Sequence, residues 1–289
     1  MYSQTFRRAV RTNGLHPIRA IGSLSKSPVF IVGCPRSGTT FTARAIGRVY
    51  GFIDIGEVPR YKGAIPEMFI CATEGRREES IRRIRSIITF SQRLAMTGSC
   101  TAVEQTPESA FLIPEIAEAF PAARFVHVQR DGRDVAASLL ERGWLATDPS
   151  RAQAQEQRQV DDGGHAFGGY GRFWVESERE REFESATEAK RCGWAWRRYV
   201  TTVRAELAVL DPDRSVSIRY EDLTADPSRV AERLATGLGA ERRTDEFVQA
   251  LSEAHSRSVG GWRRKLSREQ LDDVLAEEAP LLSELGYLG

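Results

Sequence analysis

The stretch PVFIVGCPRSGTTFT, residues 28–42, decides the fold. Its apolar run, Val29–Val32, predicts a buried strand, and the residues that follow the loop predict a helix. Between them Gly33 and Gly38 bound a G-x-x-x-x-G loop, the spacing of a phosphate-binding P-loop. The lysine that usually follows the second glycine is absent, because Thr39 stands there, and the loop holds its cation inside, at Arg36.

This loop is predicted to bind an anion. At the start of the predicted helix, unpaired backbone N–H groups and the positive end of the helix dipole converge. Arg36 adds a cation, and Ser37, Thr39 and Thr40 add three hydroxyls around the same point. The alternative is an ordinary strand-to-helix turn with no ligand.

The composition describes a soluble globular protein. The 289 residues are 41% hydrophobic and 28% charged, and the net charge of +1 gives no reason to expect nucleic acid as a partner. Four scattered cysteines form no zinc or disulfide pattern, which predicts a cytoplasmic location. No run approaches the ~20 apolar residues of a membrane span, so no stable membrane insertion is expected.

The chain is predicted to consist of a basic N-terminal arm, residues 1–27, and a single domain, residues 28–289. Predicted strands at 29–32, 124–130 and 215–223 alternate with helices, which indicates an α/β fold: a three-layer P-loop-type domain with a mostly parallel sheet and helices on both faces. Residues 145–191 are predicted to be an insertion over the active face. This insertion holds aromatic residues that predict either a mobile lid or a small satellite core: Phe167, Tyr170, Phe173 and Trp174.

A second anion-binding motif is RFVHVQRDGRDVAASLL, residues 124–140. It predicts a strand that ends near Arg130 and a helix that carries Ser138 on its first turns. A guanidinium makes paired, charge-assisted hydrogen bonds to phosphate, so Arg130 is a candidate phosphate ligand. The alternatives are an ion pair of Arg130 with Asp131 or Asp134, and a purely structural Ser138.

These two motifs resemble the signatures of sulfotransferases that use 3′-phosphoadenosine 5′-phosphosulfate. The resemblance implies that the first loop (Arg36, Ser37, Gly38, Thr39 and Thr40) holds the 5′-phosphosulfate and that Arg130 and Ser138 bind the 3′-phosphate. It also implies a product, adenosine 3′,5′-bisphosphate, and no metal. A later segment, SRSVGGWRRKLS at residues 256–267, is similar to another landmark of the family and adds Arg257 and Lys265 as candidate 3′-phosphate ligands.

Glu104 is the candidate general base. The segment VEQTPESAF, residues 103–111, resembles the Glu-Lys-Thr-Pro segment of sulfotransferases that act on sugar hydroxyls and amines, but Gln105 replaces the lysine. A shielded carboxylate can have the raised pKa that a base needs. Alternatively Glu104 caps a helix or pairs with an arginine. Three histidines are rival bases: His127, expected to be buried in a strand, His165 and His255.

The predicted reaction is in-line transfer of a sulfuryl group to an acceptor hydroxyl, with positioning and electrostatics as the main contributions. The acceptor can be a carbohydrate, a lipid or another small molecule, and the sequence decides neither O- against N-sulfation nor the oligomeric state. Two other functions stay open. One is a P-loop kinase or nucleotide hydrolase, and the other is a non-catalytic nucleotide- or glycan-binding module.

Overall fold

The computed structural model describes residues 27–95, 100–146 and 172–288. Five strands form its sheet: β1 (Val29–Val32), β2 (Phe52–Gly56), β3 (Thr101–Glu104), β4 (Arg124–Gln129) and β5 (Ser215–Arg219). The helices of the first half are α1 (Thr39–Arg48), α2 (Pro59–Thr73), α3 (Arg77–Leu94), α4 (Ile113–Ala119) and α5 (Gly132–Arg142). Those of the second half are α6 (Glu180–Ser185), α7 (Glu188–Ala208), α8 (Tyr220–Ala225), α9 (Pro227–Gly237), α10 (Thr244–Leu251), α11 (Trp262–Lys265) and α12 (Arg268–Glu284).

The strands form one parallel sheet in the order β2-β3-β1-β4-β5. After β1 the chain moves to one side of the sheet, and after β4 it moves to the other. In open α/β sheets, ligands bind at the carboxyl ends of the strands where the order reverses in this way. The loops that follow β1 and β4 meet at this point, and they carry the two predicted anion-binding motifs.

Apolar residues cover both faces of the sheet. Consecutive residues of β1 point to opposite faces, so Phe30 belongs to one core and Ile31 to the other. The first core includes Ile84, Ile116, Trp196 and Leu282, and the second includes Ile46, Val126, Leu234 and Phe247. The predicted α/β class, with a parallel sheet between two layers of helices, is therefore confirmed.

The sequence pattern missed two strands and extended a third too far. β2 and β3 are only five and four residues long, and the buried Asp54 interrupts the apolar run of β2. The predicted strand 215–223 ends at Arg219, because Tyr220–Ala225 form a helix directly after it. That early end leaves Tyr220 at the carboxyl edge of the sheet, among the site residues.

The described part of the predicted insertion, residues 145–146 and 172–191, adds to the first core and forms neither a lid nor a separate satellite core. Trp174 is fully buried in the first core, with its ring 5.6 Å from that of Phe183 and 6.2 Å from that of Tyr199. Phe173 packs 5.2 Å from Phe69. These aromatic rings pack against the apolar face of α7 and bury it. Phe167, Tyr170, His165 and the arm at 1–26 lie outside the described residues.

Across the described ranges, no helix combines the length and the apolar character that crossing a bilayer requires.

Candidate active site

The loop between β1 and α1 has a backbone that depends on glycine. Gly33 has φ 151°, and a Cβ built on it would lie 2.5 Å from the backbone oxygen of Val128. Gly38 has φ 101°, and its Cβ would lie 2.5 Å from Cδ2 of Tyr220. Because Gly38 is also the N-cap of α1 and has no side chain, the first N–H groups of that helix lack a side-chain cap. They are oriented to bind an anion.

Arg36 connects the two predicted motifs. Its φ is 74°, a left-handed conformation that is uncommon for a residue with a side chain. Its Nε donates to Oγ of Ser138 on α5 at 3.0 Å, and its backbone oxygen accepts a hydrogen bond from Nη1 of Arg130 at 3.0 Å. The loop after β1 and the segment after β4 therefore hold each other in place.

A cavity of about 330 Å³ opens beside these contacts. Most of the predicted binding residues line it, namely Arg36, Gly38, Thr39, Thr40, Arg130, Ser138 and Lys265. Ser37, Arg257 and Glu104 are not among its lining residues in the described part of the chain. Ser37 nevertheless lies within the loop, buried, and its N–H donates to the backbone oxygen of Cys34 at 3.1 Å.

Two polar atoms at this point are buried and have no hydrogen-bond partner within the described residues: Oγ of Ser37 and Nε of Arg130. Buried polar groups are normally paired, so each such atom calls for an explanation. Both atoms can donate a hydrogen bond. Arg130 lines the cavity, which Asp134 and Glu141 also line, and Ser37 lies in the loop next to it. An anion with several oxygen atoms would satisfy them.

Arg130 is held on three sides. Its Nη2 donates to the backbone oxygen of Ser258 at 2.6 Å, its guanidinium lies 4.7 Å from the ring centre of Tyr220, and Asp134 Oδ2 is 3.7 Å away. Arg130 and Asp134 therefore form the ion pair that was the alternative for Arg130, but the two atoms are too far apart for a direct hydrogen bond.

The segment at residues 256–265 closes the site, with Asp134 as its anchor. Oδ2 of Asp134 accepts from the N–H of Gly260 at 2.7 Å, and Oδ1 accepts from the N–H of Trp262 at 2.9 Å. Asp134 therefore connects α5 to a segment that lies more than 120 residues later in the chain. Arg133 does pair with Asp131, at 2.8 Å, because the two side chains lie on the same turn.

The two candidates from that segment differ in position. Lys265 lines the cavity, and its Nζ is 2.8 Å from Oε2 of Glu141. Arg257 is exposed on a short 3₁₀ turn, Ser256–Ser258. Trp262 packs against Arg133, whose guanidinium lies 4.3 Å from the ring centre, and Nε1 of Trp262 has no partner among the described residues.

Several positive charges lie near Arg36 and affect its pKa. Burial lowers the pKa of Arg36, and the positive charges of Arg142 and Arg130 lower it further. The ring of Trp144 lies 5.7 Å from the Arg36 guanidinium. Glu141 acts in the opposite direction on this pKa, so two guanidinium groups and one carboxylate act on Arg36. Such a surplus of positive charge favours binding of an anion.

Glu104 is fully buried at the carboxyl end of β3, next to β1 in the sheet. Its carboxylate accepts from the N–H of Thr106 at 3.0 and 3.1 Å, from Oγ1 of Thr106, and from Oγ of Ser109 at 3.4 Å. Burial raises its pKa to about 8, although the hydrogen bonds from Thr106 act in the opposite direction. The carboxyl group thus supports the turn that follows and also has the pKa of a base that works near neutral pH.

Gln105 joins the Glu104 segment to the phosphate-binding loop. Its Oε1 accepts a hydrogen bond from Oγ1 of Thr40 at 3.0 Å. Thr40 lines the cavity and lies on the first turn of α1. The candidate base is therefore one residue away from a direct contact with the candidate donor site.

The histidines have three different positions. His127 is buried on β4, as expected, and burial lowers its pKa to about 4. It pairs in the sheet with Val32 and Ser217. His255 is exposed and lines the cavity. His165 lies outside the described residues.

The sequence analysis missed Tyr220 and the bridging role of Asp134. Tyr220 follows β5 directly, at the same edge of the sheet as Arg36 and Arg130. Its position at the end of a strand could therefore have predicted that it lies at the site. The contacts of Asp134 with Gly260 and Trp262 span 126 and 128 residues. No local pattern predicts contacts over such a separation.

In the ranges that the structure describes, no group of three or more His, Cys, Asp or Glu side chains is arranged to hold a metal ion.

Comparison with known proteins gives a consistent family and fold. Residues 28–167 match the family model described as "Sulfotransferase family". The chain is also similar to an uncharacterized protein of Aquifex aeolicus (strain VF5), at 27% identity over 146 residues. That alignment spans 45% of this chain but only 19% of the length of that relative.

Solved structures share the fold at low sequence identity. A sulfotransferase domain from the curacin biosynthetic pathway has a TM-score of 0.51 at 13% identity, over 89% of this chain and 99% of that one. A sulfotransferase domain from the Synechococcus PCC 7002 olefin synthase has a TM-score of 0.50 at 15% identity, over 87% of this chain and 94% of that one. Sulfotransferase STF9 from Mycobacterium avium has a TM-score of 0.50 at 12% identity, over 96% of this chain and 81% of that one. These structures share the fold, and the family-model match over residues 28–167 agrees with the resemblance to sulfotransferases found in the sequence.

Proposed function

We propose, from the relationship of this chain to the sulfotransferase family, that the protein moves a sulfuryl group from 3′-phosphoadenosine 5′-phosphosulfate to a hydroxyl group of a small-molecule, lipid or carbohydrate acceptor. The oxygen of the acceptor forms a new bond to sulfur while the bond from sulfur to the phosphate oxygen breaks. Adenosine 3′,5′-bisphosphate leaves with that electron pair. The proton of the acceptor hydroxyl goes to Glu104.

The observation that carries this proposal is the contact between the two motifs. Arg36 donates to Ser138, and Arg130 donates to the backbone oxygen of Arg36. A donor with a phosphosulfate at one end of its ribose and a phosphate at another needs two anion sites at a fixed separation. Two motifs that are locked together meet this requirement.

The residues present fit such a donor. The 5′-phosphosulfate would be held by Arg36 and by the N–H groups of residues 37–40, and the buried hydroxyl of Ser37 would gain an acceptor. The 3′-phosphate would be held by Arg130 and Ser138, with Nε of Arg130 still available. Lys265 adds a cation at the rim of the same cavity, and Arg257 is a peripheral candidate.

Glu104 is proposed as the general base. Its carboxyl group is buried, which raises its pKa to about 8, so it can accept a proton near neutral pH and release it afterwards. Because Glu104 does not line the donor cavity in the described residues, an acceptor would have to approach from the side of β3 and the turn at Thr106.

A P-loop kinase or nucleotide hydrolase is the main competing function. Such an enzyme places a lysine on the β- and γ-phosphates and a carboxylate near Mg²⁺. Here Thr39 occupies the position of that lysine, and the basic side chain of Arg130 follows β4. This cationic set suits a donor that carries its phosphates on both sides of a ribose.

A thermal-shift experiment separates these functions. The protein is heated with adenosine 3′,5′-bisphosphate in EDTA, with ATP and magnesium, and with ATP alone. We expect a rise in Tm with the bisphosphate in EDTA, and stabilisation by magnesium-ATP alone would contradict the proposal. Transfer of label from the phosphosulfate donor to a library of acceptors then tests turnover. Bisphosphate binding without any transfer would favour the non-catalytic binding module.

A further inference from the structure

Lys62 is a largely buried cation at the carboxyl edge of the sheet, and the function proposed above gives it no role. It lies on the first turn of α2, and its side chain is 13% exposed. Its Nζ donates to Oε2 of Glu57, just before α2, at 2.7 Å. The same Nζ lies 3.6 Å from Oε1 of Glu108, on the turn that follows β3. One ammonium group therefore connects the segments that follow two neighbouring strands, β2 and β3.

The same two segments hold the carboxylate of Glu104. The N–H of Thr106, after β3, donates to it at 3.0 and 3.1 Å, and the N–H of Val58, after β2, also donates to it. Val58 follows Glu57 in the chain, and its carbonyl oxygen accepts from the backbone N–H of Lys62 at 2.9 Å. Lys62 thus joins the two backbone segments on which the position of Glu104 depends.

A second contact between α2 and the surroundings of Glu104 lies beside Lys62. Oγ of Ser109 is 3.3 Å from the OH of Tyr61 and 3.4 Å from Oε2 of Glu104. Tyr61 precedes Lys62 on α2 and is fully buried. The first turn of α2 is therefore in contact with the Glu104 turn both through a neutral residue, Tyr61, and through a charged one, Lys62.

The charge of Lys62 opposes that of the acids around Glu104. Burial is the main cause of the raised pKa of Glu104, and the negative charge of Glu57 raises it further. Burial also raises the pKa of Glu108, whereas the charge of Lys62 lowers it. Burial lowers the pKa of Lys62, but the two carboxylates outweigh this effect, so the side chain stays charged. Lys62 therefore offsets a negative charge that disfavours ionisation of Glu104.

Three further titratable side chains near these carboxylates are uncharged, because burial raises the pKa of each well above its ordinary value: Tyr61 on α2, Tyr199 on α7 and Cys34 in the loop after β1. Glu115 on α4, an acid close to Tyr61, is paired with Arg77 at 2.8 Å. The ion pair of Lys62 with Glu57 is therefore the place where a change of charge should act on Glu104.

We propose that Lys62 is a positioning residue for the general base: it joins the two segments whose N–H groups hold the Glu104 carboxylate, and it offsets the charge of Glu57, so that Glu104 can ionise near neutral pH. Gln105 stands where the similar segment of sulfotransferases has a lysine. Lys62 brings a cation to the same edge of the sheet from another element. The inference rests on the proposed function, because it concerns the base of that reaction.

Two substitutions at this ion pair should act in opposite directions on the pH dependence of sulfuryl transfer. Lys62→Met removes the positive charge, so the pH at which the rate is half of its maximum should rise by about one pH unit. Glu57→Gln removes the negative charge but keeps an oxygen that accepts from Lys62, so this midpoint should fall. Lys62→Arg should keep the parent midpoint. The double variant of Lys62→Met and Glu57→Gln should return toward the parent.

Glu67 and Arg83 supply the matched controls, because they form an ion pair at 2.8 Å between an exposed acid of α2 and α3. Glu67→Gln and Arg83→Met should leave the midpoint unchanged. Carbon-13 NMR of protein labelled at the glutamate carboxyl groups measures the titration of Glu104 without turnover, and the loss of one signal in Glu104→Gln assigns it. Urea denaturation shows whether each variant is folded.

An unmoved midpoint in folded Lys62→Met, or a shift in the same direction in Lys62→Met and Glu57→Gln, overturns the inference. If Lys62→Met does not fold, Glu57→Gln decides, and a midpoint at or above that of the parent contradicts the inference.

The outcome also separates this inference from the proposed function. If both variants transfer sulfuryl groups with the pH dependence of the parent, the function stands and the role of Lys62 is wrong. If the parent transfers no label to any acceptor, the proposed function is wrong. The NMR titration of Glu104 in the same variants then still decides whether Lys62 controls its ionisation.

Discussion

The side chain of Arg36 donates to Ser138 at 3.0 Å across 102 residues of sequence, and Arg130 returns a hydrogen bond to the backbone of Arg36 at 3.0 Å. Each motif is therefore positioned by the other. The left-handed backbone at Arg36, φ 74°, lets the residue present its carbonyl oxygen to Arg130 and its guanidinium to Ser138. A substitution in either motif should consequently affect both ends of the proposed donor site.

Arg130→Ala should weaken binding of adenosine 3′,5′-bisphosphate by roughly 2–4 kcal/mol, because a charged ligand group would lose its partner. Isothermal titration calorimetry of the variant against the parent measures this loss. Arg82→Ala on α3 is the matched control, and urea denaturation shows whether the variant is folded. Parent-like affinity in a folded Arg130→Ala protein would remove Arg130 from the site.

Glu104→Gln should retain binding of adenosine 3′,5′-bisphosphate and lose about 10²–10⁴-fold in the rate of sulfuryl transfer, as expected for removal of a general base. In the parent, the rate should rise with pH up to about 8, the raised pKa of Glu104, and the variant should lack this rise. Glu108→Gln, a buried acid of the same turn, is the control. Unchanged turnover in Glu104→Gln would assign the base elsewhere.

The raised pKa of Glu104 also predicts how stability depends on pH. The folded protein binds the proton more tightly than the unfolded chain does, so this contribution to the free energy of unfolding is full below pH 4.5 and decreases as the pH rises toward about 8. Urea denaturation of the parent and of Glu104→Gln, at several pH values across this window, measures the difference. The free energy of unfolding of the parent minus that of Glu104→Gln should fall as the pH rises through this window. A value that stays constant or rises would contradict the assignment.

Gly38→Ala should destabilise the protein and weaken nucleotide binding, because the new Cβ would lie 2.5 Å from the ring of Tyr220 and the backbone has φ 101°. Gly51→Ala separates the two causes. Gly51 has φ 95°, but a Cβ there meets nothing within 4 Å among the described residues. Strain alone costs about 1 kcal/mol or more. Equal losses of Tm and equal nucleotide affinity in the two variants would show that the contact with Tyr220 is unimportant.

Asp134→Asn should reduce the free energy of unfolding by about 1–3 kcal/mol and loosen the segment at 256–265. The carboxylate accepts from two backbone N–H groups, those of Gly260 and Trp262, and an amide offers only one oxygen. Asp272→Asn, at an exposed position of α12, is the control. Chemical denaturation measures stability, and nucleotide titration should show weaker binding because Ser258 of this segment positions Arg130. Two indistinguishable denaturation curves would contradict this anchoring role.

Much of the fold was readable from local patterns. The apolar run at Val29–Val32 and the glycines of the next loop gave the right element types, a strand followed by the helix α1. The patterns failed where elements were short or where a side chain broke the apolar run, as in β2 and β3. They also failed at Trp174. Its glycine-rich neighbours suggested a lid, although the ring is buried in the core.

The sequence by itself determined which residues are the candidate anion ligands, because the P-loop spacing and the arginine after β4 are local features that fix backbone N–H groups and cations at strand ends. Only the tertiary structure decided how these residues act together. The contact of Arg36 with Ser138, the two hydrogen bonds of Asp134 and the burial that raises the pKa of Glu104 all depend on distant segments that meet across a parallel sheet. Hydrogen bonds and desolvation depend on the distance between groups in space, and this distance cannot be read from their separation along the chain.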